Sequence, residues 1–221
     1  MAAAAQLQKA TFDSSIYDVD TMELAMGIIL SADPSNGITT EQRWEKETPY
    51  LGNLITKHTG LSEKSLLLDY GCGVGRLSKD AIQRSGCNVV GVDYSANMRA
   101  FAASYVDSPR FMACDEYMLN NFVGSGKCDA AIAVWVLQHC LKPAESIETI
   151  RYALKPGGKL FVLNDMRFVP TREFGFINDK VDVTAILDNV FKLETKIELD
   201  SALVLDLLVK RGAHCAVYVK E

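Results

Sequence analysis

Residues 66–78 read Leu-Leu-Leu-Asp-Tyr-Gly-Cys-Gly-Val-Gly-Arg-Leu-Ser. A short apolar run closed by an acid, three glycines at alternate positions and then an amphipathic stretch describe a buried strand turning sharply into a helix. Gly71, Gly73 and Gly75 carry no Cβ, so the backbone there can take positive φ and let a ligand approach the main chain. The free N–H groups of the following helix point to the same place. A tight strand-to-helix turn needs one glycine for itself, and three imply a cradle.

The spacing bears on which ligand the cradle takes. A dinucleotide fingerprint places its third glycine three residues after the second, on the helix N-terminus. Arg76 stands there instead, the third glycine comes one step early at Gly75, and Asp69 precedes Gly71 by two residues. This Asp-x-Gly-x-Gly-x-Gly order resembles the nucleotide-binding motif of class I S-adenosylmethionine (SAM)-dependent methyltransferases. Three later stretches strengthen the resemblance. Asn-Val-Val-Gly-Val-Asp at 88–93 ends in an acid 18 residues after Gly75, Phe-Met-Ala-Cys-Asp at 111–115 ends in another, and Leu-Lys-Pro-Gly-Gly at 154–158 is similar to the family's turn before its fifth strand.

The resemblance implies a role for each residue. The backbone of Gly71, Cys72, Gly73 and Gly75 borders the methionyl tail, and Asp69 takes its ammonium directly or through water. Asp93 accepts the ribose hydroxyls, while Asp115, with Glu116 beside it, takes the adenine amino group. Tyr94 and Met98 flank the base, and the carbonyl near Val134 meets the ammonium. SAM is then the cofactor, S-adenosylhomocysteine (SAH) its product, and the acceptor a small molecule. Arg43, Trp44 and Trp135 are candidates for the substrate side or the lid, with stacking on the core or simple exposure the alternatives for Arg43 and Trp44.

Methyl transfer is an in-line displacement, so the protein mainly aligns two reactants and excludes water. An acceptor with a proton to lose gains from a base, and His139, just past Ala-Ile-Ala-Val-Trp-Val-Leu-Gln at 131–138, is the candidate. Capping the next helix or bracing its loop are the alternatives for the same histidine. Other classes stay open: a cofactor-binding protein without transferase activity, a reaction that consumes SAM differently, and a nicotinamide oxidoreductase, against which Arg76 and Asp115 speak.

The 221 residues, 48% hydrophobic and 23% charged, fit one domain with a full core and an added lid. A net charge of −5 argues against a nucleic-acid footprint. Six cysteines without a CxxC pair read as reduced thiols of a cytoplasmic protein, and three scattered histidines make no metal motif. No apolar stretch reaches the ~20 residues a bilayer requires, and the alanine-rich start is no secretory signal.

Strand and helix patterns alternate from residue 65: strands at 65–70, 88–93, 109–113, 128–135 and 157–164, helices at 75–85, 95–104, 115–122 and 143–154. The fold expected is α/β: a doubly wound, mostly parallel sheet with helices on both faces, a reversed C-terminal edge strand at 214–220 and an N-terminal helical cap. The cap covers 1–60 and the SAM-binding domain 61–221. Within the cap, residues 1–11 read as frayed, 16–30 as one helix, and Thr39 with Gln42 as a capping box for a helix ending at Gly60 and kinked by Pro49. Residues 165–178 read as loop, 181–191 as helix, 192–199 as strand, and 201–209 as helix or strand.

Overall fold

The computed structural model describes residues 11–204 and 213–221. The first strand, β1 (Leu66–Tyr70), is buried on both faces. Leu68 and Tyr70 point into one core, while Leu67 joins the other. That two-sided burial is why its sequence is a continuous apolar run instead of an alternation.

Beside it run β2 (Asn88–Val92), β3 (Phe111–Cys114), β4 (Cys128–Val134) and β5 (Leu154–Asn164), all parallel. With β8 (Lys192–Lys196) and β9 (His214–Val219), the full sheet has the order β3-β2-β1-β4-β5-β9-β8. The reversed strand β9 pairs antiparallel with β5, and β8 lies outside it as the last strand. Leu-Lys-Pro-Gly-Gly, expected as a turn, opens β5, with Gly157 at φ 75°.

The helices are α1 (Met22–Ile29), α2 (Thr40–Thr59), α3 (Arg76–Ser85), α4 (Ala96–Val106), the single turn α5 (Glu116–Met118), α6 (Pro143–Ala153) and α7 (Val183–Val190). One face of the sheet packs Ile147, Ile150 and Leu187 of α6 and α7. The opposite face packs Leu51 and Ile55 of α2 with Leu77 and Ala81 of α3. The expected capping box of α2 is formed reciprocally, Gln42 N donating to Thr39 Oγ1 at 3.2 Å and Thr39 N to Gln42 Oε1 at 3.0 Å, and Gly60 ends the helix at φ 69°. Pro49 lies inside α2 and is accommodated there.

Three further expectations change. The helix expected over 16–30 is broken into a 3-10 turn, Ser14–Tyr17, and α1, because Asp13 and Thr21 each cap a separate N-terminus. Such short polar side chains compete for backbone N–H groups and divide a helix that apolar spacing alone would make continuous. The helix expected over 115–122 is the turn α5 followed by a π-helical turn, Leu119–Val123. The loop at 165–178 contains a hairpin, β6 (Val169–Thr171) with β7 (Gly175–Ile177). Of the reading at 201–209, residues 201–203 form a turn and 205–209 lie outside the described residues, as do 1–10.

Candidate active site

Parallel strands bring their C-terminal ends to one rim, and a cavity of about 780 Å³ opens there, lined by residues that follow β1, β2 and β4. Its floor is Gly71, Cys72 and Gly73. Gly71 N and Cys72 N both donate to Val92 O, at 2.7 and 2.9 Å, which folds the turn back over β2. Gly71 and Gly73 take φ of 75° and 52°. A Cβ on Gly71 would stand 2.3 Å from Val136 Cγ2, and one on Gly73 2.7 Å from Ile29 Cδ1.

Gly75 serves differently from expectation. It does not line the cavity; a Cβ there would meet Val106 Cγ2 at 2.5 Å, so its absence lets α3 pack against α4.

Asp93 joins the cradle to the next loop, its carboxylate accepting from Gly73 N at 2.9 Å and Ser95 N at 3.0 Å. Burial pushes its carboxyl up, against the pull of those N–H groups. Asp69 is also buried, accepts from Ser78 Oγ at 2.6 Å, and is pushed up to about 6 by burial. Cys72, Tyr94, Met98, Val134 and Trp135 all line the cavity.

Asp115 does not line it: its side chain caps α5 by accepting from Met118 N at 2.8 Å. Glu116, one residue on, faces the cavity and accepts from the Tyr70 hydroxyl.

At the glycine end lie two buried guanidinium groups. Arg43 pairs with Glu47 at 2.8 Å and donates to Ser31 O at 2.9 Å. Arg76 donates to Thr48 Oγ1 at 3.1 Å, while its buried Nε has no hydrogen-bond partner. Burial lowers Arg76 to about 10 despite the nearby charges of Glu47 and Asp69. Trp44 is not in the cavity lining. Its indole donates to Tyr105 Oη at 3.1 Å and its ring lies 5.6 Å from the Arg76 guanidinium carbon, so it props Arg76 from behind.

Past β4 the chain turns through Trp135, whose φ of 58° is a left-handed conformation costly for a bulky residue. The turn at 137–140 is clamped from outside. Arg167 donates to the carbonyls of Leu137, Gln138 and Cys140 at 3.2, 3.1 and 2.6 Å and forms a fork with Asp179 at 3.0 and 2.8 Å. Within the turn, His139 Nδ1 lies 2.8 Å from Phe168 O. A carbonyl only accepts, so Nδ1 carries the proton. Gln138 Oε1 accepts from Asp165 N at 2.8 Å, which aims its NH2 group at His139 Nε2, 3.3 Å away. Nε2 is therefore the unprotonated nitrogen, and burial lowers the His139 pKa. His139 braces the turn but does not cap α6, whose N-cap is Lys142.

Within the segment expected as a cap, the strap of residues 11–38 lines the cavity and is tied to the β6–β7 hairpin, contacts that the sequence pattern does not mark. Phe12 bridges to Thr171, Asp13 N donates to Pro170 O at 3.1 Å, and the Tyr94 hydroxyl donates to Ser14 O. Tyr17 thereby reaches the cavity, its ring 5.7 Å from His139. No spacing marked Tyr17, whereas Arg167 and Phe176 stood in a loop whose arginines and phenylalanines were visible.

Among the described residues no group of three His, Cys, Asp or Glu side chains could hold a metal, and no helix is long and apolar enough to cross a membrane. All six cysteines are free thiols.

The methyltransferase domain family matches residues 68–162. A ubiquinone biosynthesis O-methyltransferase of Pseudomonas aeruginosa is 31% identical over 135 residues, covering 54% of this chain and 56% of the relative. Its Caulobacter vibrioides counterpart is 35% identical over 101 residues, 43% and 39% of the two chains. The chain thus spans about half the length, or less, of these curated relatives. Among solved structures, geranyl diphosphate methyltransferase in complex with SAM superposes with a TM-score of 0.57 at 17% identity, covering 77% of this chain and 83% of that one. The 4+2 cyclase SpnF gives 0.61 at 19% identity, covering 78% and 80%. Over residues 68–162 the chain thus matches the methyltransferase domain family, and its sheet has the fold of solved SAM-dependent methyltransferases.

Proposed function

We propose that the protein transfers a methyl group from SAM to an oxygen of a small-molecule acceptor. The observation that carries this is the coupled cradle: the backbone of Gly71 and Gly73 lines the cavity, and Gly73 N holds the Asp93 carboxylate at its wall. The remaining residues fit the cofactor's parts. Asp93 suits a ribose diol, Tyr94 and Met98 an adenine ring, and Glu116, not the capping Asp115, an exocyclic amine. Asp69 and the Val134 backbone suit an ammonium, and Arg43 and Arg76 put positive charge where a carboxylate belongs. The cavity's volume lies high in the range of ~300–1,000 Å³ typical of ligand pockets, which leaves room for an acceptor beside the cofactor.

When bound, SAM supplies an electrophilic methyl group. His139, with Nδ1–H fixed on Phe168 O, presents a neutral Nε2 that can receive the acceptor's proton. A base so placed contributes about two to four orders of magnitude in rate. The 3.3 Å contact from the Gln138 amide is long enough to yield to an incoming hydroxyl. The oxygen acceptor follows the names of the sequence relatives, both O-methyltransferases. A small acceptor accords with the net charge of −5, and the protein as we read it works in the cytoplasm without nucleic acid or membrane.

Incubation with isotopically labelled methyl-SAM and a metabolite extract, followed by mass spectrometry, tests the reading. A labelled small molecule supports it; SAM consumption without label transfer refutes it in favour of another SAM-dependent reaction on this fold.

A further inference from the structure

Four rings from four separate segments form a row that starts at Tyr94, on the adenine side, and runs into the outer cavity. Tyr94 of the loop after β2 meets Tyr17 of the strap edge-on at 6.2 Å. Tyr17 lies 5.7 Å from His139, and His139 6.0 Å from Phe176 of β7. Phe12, Ile16 and Phe168 complete this half, and none of these residues carries a fixed charge. The charged groups of the lining, Arg43, Arg76, Asp69, Asp93 and Glu116, belong to the half assigned to the cofactor.

Nearly every polar group along the row is committed. The Tyr94 hydroxyl donates to Ser14 O, His139 Nδ1 faces Phe168 O, and both ends of the Gln138 amide are engaged. The Tyr17 hydroxyl is different, being buried without a partner among the described residues. An orphaned buried hydroxyl costs about 1–3 kcal/mol, so it calls for a partner.

We propose that the outer half is the acceptor site, that it takes a neutral aromatic molecule bearing a free hydroxyl, and that Tyr17 donates a hydrogen bond to that hydroxyl's oxygen while its proton faces His139 Nε2. This rests on the functional reading above. A hydroxyl is both donor and acceptor, which matches one donor in Tyr17 and one acceptor in His139. A thiol accepts hydrogen bonds weakly, and an amine or carboxylate would enter charged, losing its hydration with no counter-ion in this half. The ring walls favour an aromatic guest through offset and edge contacts. During transfer the acceptor's oxygen forms its new O–CH3 bond as the S–CH3 bond of SAM breaks, the sulfur keeps that electron pair and leaves as SAH, and the proton of the acceptor's O–H passes to Nε2. Tyr17 also makes the strap part of the site, since its place depends on the contacts of Phe12 and Asp13 with the hairpin.

The test is calorimetry on the full chain saturated with SAH, so that nothing turns over. Catechol, 3,4-dihydroxybenzoate and n-hexanol are the probes, each titrated into wild type, Tyr17→Phe and Tyr17→Ala. Catechol should bind wild type at least ~10-fold more tightly than either other probe. Tyr17→Phe, which keeps the ring, should weaken catechol ~5- to 20-fold and leave SAH affinity within twofold, and Tyr17→Ala should weaken it further. Equal affinity for the carboxylated or aliphatic probe, or catechol affinity unchanged in Tyr17→Phe, overturns the proposal. Failure of wild type to bind SAH overturns the functional reading beneath it, and that binding is measured separately, before any probe is added.

Discussion

Replacing Gly71 with alanine should cost far more than a glycine-to-alanine change usually does, and the coordinates divide the cost into two parts. The first is backbone strain, because φ is 75° and an L residue in the left-handed region costs roughly 1–2 kcal/mol. The second is steric, because the new Cβ would stand 2.3 Å from Val136 Cγ2 and 2.6 Å from Val136 Cβ. An atom that near the main chain cannot swing aside, so the turn leading to His139 must move, at the roughly 1–3 kcal/mol typical of overpacking. The sum is about 2–5 kcal/mol. Gly157 is the control: its φ is also 75°, but nothing lies within 4 Å of a Cβ built there, so Gly157→Ala should cost only the strain, about 1–2 kcal/mol. Urea unfolding of both variants, and of Gly71→Ala combined with Val136→Ala, separates the parts. The double variant should recover part of this steric cost relative to additivity, because it removes Cγ2 at 2.3 Å and Cγ1 at 3.1 Å while leaving the residue 136 Cβ at 2.6 Å. If Gly71→Ala costs no more than Gly157→Ala, or the double variant is additive, the packing of the cradle against the 136–140 turn is misread.

Other predictions concern the clamp, the buried acid and the base. Arg167→Ala removes the ion-pair partner of the Asp179 side chain and a donor from three carbonyls of the turn, of which Gln138 O keeps Phe168 N; it should lower stability by about 3–5 kcal/mol in urea unfolding, and a loss under 1 kcal/mol would contradict the clamp. Asp69, held near 6 when folded against an ordinary 3.8, binds more protons in the folded than in the unfolded state between those values, so its contribution to stability falls as pH rises through that window. Asp69→Asn should therefore stand higher relative to wild type at pH 7 than at pH 4.5, and a gap equal at both pH values would refute the assignment. His139→Ala should reduce turnover at least ~100-fold while leaving SAM affinity within a fewfold. Because burial lowers its pKa, the wild-type rate should hold through pH 6.5 and fall only at more acid pH; a fall centred at or above 6.5 would count against His139 as the base.

Much of the scaffold was written in short-range pattern. The leucine run before Asp69 reads as a strand buried on both sides because a parallel sheet covered by helices has no wet face. Thr39 and Gln42 name a helix start because both bonds of the box are local. The cavity floor was legible for the same reason, since Gly71 and Gly73 lie in one turn. What escaped was set by contacts distant in sequence. Tyr17 reaches His139 only because the Thr11–Asp13 segment is tied to a hairpin some 160 residues later, and each strand of that hairpin is only three residues long. Gly75 reads as a ligand contact because an alternating glycine row does not show which one faces a neighbouring helix. Asp115 looked like a ligand contact, although a strand-ending acid is equally an N-cap, and Met118 N claimed it. Trp44 sits on a helix facing the right way, yet Tyr105 and Arg76 hold it behind the wall.

The central claim is that the Gly71–Gly73 cradle with Asp93 takes SAM and not a dinucleotide, and calorimetric titration of the whole protein with SAM, SAH and NAD tests it most directly. SAM and SAH should each bind at one site, NAD should give no saturable heat, and Asp93→Ala should weaken SAM by about 1.5–3 kcal/mol, roughly ten- to a hundredfold, as expected for hydrogen bonds to a charged group. Saturable NAD binding with no response to SAM, or SAM affinity untouched by Asp93→Ala, would contradict the account.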